Sequence, residues 1–345
     1  MNAQRLVRRL RSGLRGWGGV GAMAAVCALA VAFALLLPLT QSDGGTDSAG
    51  QRLAHGTQAR AADDCKDPQD QSLSPSGGDG STPTIDRIKA RKDRRLIVGV
   101  DTNSYRWGYL NPNNVKGELE GFDIDLVHRI AKDLLGDPGA VSFKAIPTNQ
   151  RIPAIQHDEV DMVVRTMTIT CKRLADVAFS APYFSTGQQV LAPKTSTITG
   201  YDQSLAHKKV CSAQGSTAYD ALKADRGTKI PASTDISTQV PNQLDCLVKL
   251  QLGEVDAVVT DGALAASQAA QDPTVELKGG LFTHEYYGVA MKLHSDDLVR
   301  QVNRTLQNYV KDGGWQASYA TWLHPTLDQP GTKSASATPP EAHYR

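Results

Sequence analysis

Net charge is the first thing this chain lacks: 37 lysines and arginines stand against 36 aspartates and glutamates over 345 residues, a formal charge of +1. That balance supplies no electrostatic reason to bind nucleic acid, whose phosphates reward an excess of basic side chains. The eight histidines are scattered without metal-ligand spacing, so neither a metal nor a cofactor is expected. Cysteine is scarce, at five. Charge is missing altogether from Trp17 to Leu39, and large apolar residues are almost missing from Gln41 to about Pro83.

The uncharged stretch follows Arg5, Arg8, Arg9, Arg11 and Arg15. As a helix it is long enough to cross a hydrocarbon core of ~30 Å, and arginines ahead of a span hold the N-terminus in the cytoplasm. Residues 1–42 therefore read as a cytoplasmic basic tip and signal-anchor helix, which puts the protein at the cell membrane with its globular part extracellular. A cleaved signal peptide would have a shorter apolar region and a small-x-small site, which is not clear before Asp43. Cys27 is a poor lipidation site, because bulky Val26 precedes it and the apolar run continues. Residues 43–83, rich in Gly, Ser, Asp and Gln, read as a flexible linker, and residues 327–345 as a disordered polar tail.

Between these segments the most informative stretch runs from Glu159 to Arg173. Val160, Met162, Val163 and Val164 make the short apolar run of a buried parallel strand, and Thr166, Thr168, Thr170 and Arg173 crowd just beyond it. In open α/β sheets ligands bind past such strand ends, and hydroxyls beside a forked guanidinium form a socket for a carboxylate. The alternative is a threonine-rich turn with a solvated arginine. Residues 250–259 repeat the pattern of residues 155–164 at an offset of 95, so the chain holds two similar α/β lobes. The second strand ends at Thr260-Asp261. One lobe thus offers a cation and the other a carboxylate, which outlines an amino acid.

The remaining pattern fits a two-lobed α/β fold. Leu96 to Val100 reads as a strand ending at Asp101; Leu126, Val127, Ile130, Leu134 and Leu135 fall at helical spacing, closed by Gly136 and Pro138. Pro153 suits the first turn of a helix after Arg151, where no intrahelical donor is lost. Gln188 to Ala192 reads as a strand crossing into the second lobe, with Ser216 the N-cap of a following helix. Glu285 to Met291 is extended and carries the chain back. The expected boundaries are residues 84–187 for the first lobe, 188–284 for the second and 285–326 for the return.

Gly-Phe-Asp-Ile-Asp-Leu at 121–126, Arg-Ile-Pro at 151–153, Thr-Ile-Thr-Cys-Lys-Arg at 168–173, Pro-Tyr-Phe at 182–184, Gly-Ser-Thr at 215–217 and Thr-Asp at 260–261 occur in this order. Together they resemble the extracellular solute-binding proteins of family 3, the polar amino-acid binders, over about residues 85–325. The likeness is greatest to the glutamate- and glutamine-type proteins of actinobacteria, notably at Cys211 and Cys246. The resemblance implies a hinge-linked, periplasmic-binding-protein-like fold that closes on a free amino acid. It assigns the α-carboxylate to Arg173 and Thr168, helped by Ser216 and Thr217, and the α-ammonium to Asp261 and the backbone of Thr166. Asp101 with Tyr105 or Trp107 would wall the first-lobe side, although both aromatics could equally be core.

The implied partners are an ABC permease or a membrane sensor. An enzyme on the same fold, akin to prephenate-type dehydratases, is the other class, and a receptor rather than an enzyme is expected. Export favours pairing the four cysteines beyond Cys27, with Cys211 to Cys246 inside the second lobe leaving Cys65 for Cys171. The side chain of the ligand is read from Arg151 and Arg165, two further cations at the cleft, which fit glutamate or aspartate better than glutamine or asparagine. If Arg165 instead pairs with Asp101 or Asp125, a neutral ligand such as glutamine would serve.

Overall fold

The computed structural model describes residues 65–113, 117–328 and 335–345. The anchor helix expected at residues 17–39 lies outside them, and among the described residues no helix is long and apolar enough to cross a membrane.

Apolar runs set the two sheets. In the first, Leu96–Val100 is flanked by Val141–Ala145 and Met162–Val163 in parallel, and Ala290–Met291 and Ala178–Phe179 complete the order antiparallel. In the second, Gln239–Val240, Val210–Ala213 and Ala257–Asp261 run parallel, followed by Gln188–Pro193 and Val275–Lys278 in antiparallel pairing. The repeated segments thus supply the central strand of each sheet, each preceded by a helix, Arg151–Gln156 or Gln243–Gln251. Hydrophobic clusters cover both faces of both sheets, as buried parallel strands require. A two-stranded antiparallel ribbon, Phe184–Thr186 against Glu285–Tyr287, carries the chain between the lobes.

The helix Phe122–Leu135 buries Ile124, Val127, Ile130 and Leu134, and ends on Gly136 in the left-handed region at φ 82°. Its start needs Gly121: at φ 132° a Cβ there would sit 2.4 Å from the carbonyl oxygen of Trp107.

Both polar ends depart from the expectation of free chain where they are described. Residues 65–82 form a strap on the first lobe, because polar side chains of the helix Asp296–Lys311 reach its backbone. Asn303 Nδ2 donates to Ser72 Oγ at 2.8 Å and to the Leu73 carbonyl at 2.7 Å, and Arg304 Nη1 donates to the Pro75 carbonyl at 2.6 Å. Ser72 Oγ in turn donates to the Phe179 carbonyl at 2.9 Å. Leu327, the last residue of the helix His324–Leu327, is buried. Ala335 then pairs with Thr186 of the ribbon, and the Arg345 amide donates to the Ser72 carbonyl. Composition alone concealed this, because the side chains that hydrogen-bond the strap's backbone come from a helix distant in sequence.

Two disulfides staple the body. Cys211–Cys246 ties the helix Gln243–Gln251 to the strand Val210–Ala213. Cys65–Cys171 ties the strap to the turn that bears Arg173.

Candidate functional site

Register brings the site together. Asp261, the last residue of its strand, pairs with Gln188 at the start of the neighbouring antiparallel strand, and Glu285 pairs with Thr186 in the ribbon. The turn after Met162–Val163 is fixed to the same ribbon: Thr168 bridges Tyr287, and the Ile169 amide donates to the Tyr286 carbonyl. Ser216 caps the helix Thr217–Asp225 by accepting from the Tyr219 amide at 3.2 Å, which points Thr217 into the cluster.

Three arginines are buried here. Arg173 follows the N-cap Thr170 and donates to the Thr168 carbonyl at 2.7 Å and, across the lobes, to the Gly215 carbonyl at 3.1 Å. Gly215, at φ 74°, lets the backbones meet closely, since a Cβ there would lie 3.2 Å from Asn149 Cα. Arg151 opens its helix and donates from Nε to the Thr148 carbonyl at 2.9 Å and from Nη1 to the Arg165 and Thr166 carbonyls. Burial, then the charges of Arg173 and Arg165, push the Arg151 pKa well down, and burial also lowers that of Arg173. Among the described residues neither guanidinium has a carboxylate within ion-pair distance. Arg165 differs: Nη2 lies 2.8 Å from Asp101 Oδ2, in a pair with little exposure on either side.

Two carboxylates face the arginines from the hinge side. Glu285 accepts from Thr168 Oγ1 at 2.6 Å, Thr217 Oγ1 at 2.9 Å, Gln188 Nε2 at 3.1 Å and Thr283 Oγ1 at 3.2 Å, so it joins both lobes. Asp261 accepts a short bond from the Gln188 amide. Burial, and next the Glu285 charge, hold the Asp261 carboxyl up at about 7. Asp123 is likewise held up at about 7 by burial, while Tyr183 Oη and the Thr166 amide donate to it. Its bond to Thr166 helps hold that buried threonine at φ 40°, a conformation β-branched residues disfavour.

Of the residues expected at the site, the structure gathers Arg151, Thr166, Thr168, Arg173, Thr217 and Asp261, with Ser216 at the adjoining helix start. Asp101 and Arg165 are nearby but pair with one another, leaving Arg165 Nε buried without a hydrogen-bond partner among the described residues; Asp101 also accepts from the Thr102 and Asn103 amides and from Ser104 Oγ. Tyr105 is not brought in: its ring packs edge-on to Tyr109, 5.1 Å away, beneath the Arg106 guanidinium. Trp107 is core, fully buried, with Nε1 donating to Ser267 Oγ.

Gln188, Glu285 and Asp123 are absent from the sequence-derived set. Asp123 had a signal, because it shares a helical face with Val127, Ile130 and Leu134, where a lone acid needs a partner. Glu285 and Gln188 had none beyond their position at the crossing between lobes. Among the described residues no group of three or more metal-ligating side chains occurs.

Residues 96–325 match the model of the bacterial extracellular solute-binding proteins, family 3. The ABC transporter glutamine-binding protein GlnH of Bacillus subtilis is 34% identical over 69% of this chain and 85% of its own length. The glutamate-binding protein GluB of Corynebacterium glutamicum is 27% identical over 70% of this chain and 80% of its own. Among solved structures, a solute receptor for L-cysteine from Neisseria gonorrhoeae superposes with a TM-score of 0.65 at 25% identity, covering 73% of this chain and 99% of that one.

Proposed function

Because the chain belongs to the bacterial extracellular solute-binding proteins of family 3, we propose that it is a non-catalytic receptor whose lobes close on a free dicarboxylic amino acid, glutamate or aspartate. The observation that carries this reading is the pair of buried guanidiniums, Arg151 and Arg173, whose described hydrogen-bond partners are backbone carbonyls. Carbonyls solvate such a cation without neutralising it, so each is a place for an incoming carboxylate. In this reading Arg173 and Thr168 take the α-carboxylate with the helix start at Ser216 and Thr217. Asp261, flanked by Glu285, takes the α-ammonium, and Arg151 takes the side-chain carboxylate. Residues 17–39 hold the globular part outside the cell membrane, where it delivers ligand to an ABC permease or reports it to a membrane sensor.

A second reading, glutamine, is favoured by the Arg165–Asp101 pair, which removes one of the two cations that argue for an acid. The relatives' names include both ligands. Calorimetric titration with glutamate, aspartate, glutamine and asparagine separates the readings. We expect Arg151→Met to weaken the acids by roughly 10- to 100-fold, the worth of a charge-assisted bond, and the amides by far less. Tighter binding of either amide than of both acids would overturn the acidic assignment, and recovery of the amino acid unchanged separates receptor from enzyme.

Binding should also release a proton. In this fold the Asp261 carboxyl is raised to about 7. Between the ordinary carboxylate range and that value the folded chain holds a proton the unfolded chain has lost, so this group's contribution to stability falls as pH rises through the window. A bound ammonium favours the ionised form and drives the proton off. Calorimetry at pH 6 in buffers of different ionisation enthalpy should show release approaching one proton per ligand, fading above pH 8 and absent in Asp261→Asn. A wild type with no buffer dependence at pH 6 would contradict the ammonium role.

A further inference from the structure

The sequence places Arg165 against the ligand or paired with Asp101 or Asp125, and its surroundings favour a more specific role. It is fully buried, and each terminal nitrogen is occupied: Nη1 donates to Thr148 Oγ1 at 3.0 Å, and Nη2 reaches both Asp101 Oδ2 at 2.8 Å and Asn242 Oδ1 at 3.0 Å. Asp101 and Thr148 belong to the first lobe. Asn242 belongs to the second, where it caps the helix Gln243–Gln251 in a capping box with Asp245. Around the same point the Thr148 amide donates to the Pro241 carbonyl at 3.0 Å, and Thr148 Oγ1 donates to Gln243 Oε1 at 3.2 Å.

We propose that Arg165, Thr148 and Asn242 form a latch that holds the lobes closed without reading the ligand, so that it sets the affinity for every amino acid by one common factor. This rests on the reading that the lobes close on an amino acid. The chemistry suits a reversible latch. When the lobes part, Arg165 keeps Asp101, its countercharge in the same lobe, and surrenders only a neutral amide acceptor. Opening therefore strands no unpaired buried charge, the event that would make closure permanent. Asn242 is placed rigidly because its backbone and side chain both serve the helix cap, so the acceptor is preoriented for the guanidinium. A contact made only in the closed state shifts the closed-to-open ratio, and the apparent affinity of each ligand scales with that ratio. A contact with the ligand's side chain would instead change the ratios between ligands.

The test is Asn242→Ser, which keeps a capping oxygen but is too short to reach Arg165, with Thr148→Val as a second variant that keeps the side-chain shape. Full-length protein is titrated with glutamate, aspartate, glutamine and asparagine, dissociation is followed by stopped-flow, and the distance between labels on the two lobes is measured without ligand. The expected result is a dissociation constant raised by about tenfold for each ligand that binds, carried by faster release, with ratios between ligands preserved and the ligand-free population shifted open. Altered ratios would show that Arg165 reads the side chain, and unchanged affinities with unchanged label distances would remove the latch. Should the wild type bind none of the four amino acids, the receptor reading fails, while the label distances still decide the latch.

Discussion

Arg173→Ala should lower amino-acid affinity by a hundredfold or more while both lobes stay folded. The guanidinium is buried and spans the cleft, from the Thr168 carbonyl on one side to the Gly215 carbonyl on the other. Leaving a buried charge without its partner costs ~3–5 kcal/mol, which is roughly two to three and a half orders of magnitude in affinity. The fold should survive, because the helix Cys171–Leu174 keeps its Thr170 cap and the turn keeps its backbone bonds to the ribbon. Arg173→Lys should recover only part of the loss, since a single ammonium cannot present the forked pair of donors. Calorimetry on the alanine variant decides the matter: wild-type affinity would remove Arg173 from the carboxylate site.

The second large effect is on stability. Cys65 and Cys171 are 106 residues apart in sequence, against 35 for Cys211 and Cys246. On the chain-entropy account, closing a loop of about a hundred residues contributes ~4.7 kcal/mol, and one of about 35 residues roughly 1 kcal/mol less. Replacing both Cys65 and Cys171 with serine should therefore lower Tm by roughly 8 °C for a body of this size. The strap's hydrogen bonds to Asn303, Arg304 and Phe179 bear on the folded state only, whereas the disulfide restricts the unfolded chain. A double-serine variant melting with the wild type would show that those folded-state contacts, and not chain restriction, account for the strap.

What could be read beforehand divides along the line between local and distant pairing. The central strands of both sheets were legible because a buried parallel strand writes itself as a short apolar run, and the offset of 95 residues doubled the signal. The gathering of Arg173, Thr168 and Asp261 followed from the same logic, since strand ends in such sheets face the cleft. Glu285 and Gln188 were not legible as site residues. Each gains its place from antiparallel register with a strand distant in sequence, and nothing in their neighbours fixes that register. The sequence allows Arg165 to pair with Asp101, but composition cannot rank that pairing against a ligand contact, because either one gives a buried guanidinium a countercharge. Tyr105 was misplaced because an aromatic beside a strand end can pack with neighbours of its own hairpin, here Tyr109, instead of turning to the cleft.

The strap has a mechanical consequence. Its anchors at Phe179, Arg304, Asn303 and Cys171 all belong to the first lobe. Cys65 is therefore fixed to the first lobe, so that in the proposed opening the strap stays with that lobe while the second moves. Leu252 and Val248, exposed on the second lobe, would then move relative to the strap, whereas the helix Asp296–Lys311 is hydrogen-bonded to it. On the proposed reading, a partner docked beside the strap would register ligand only as displacement of the second lobe.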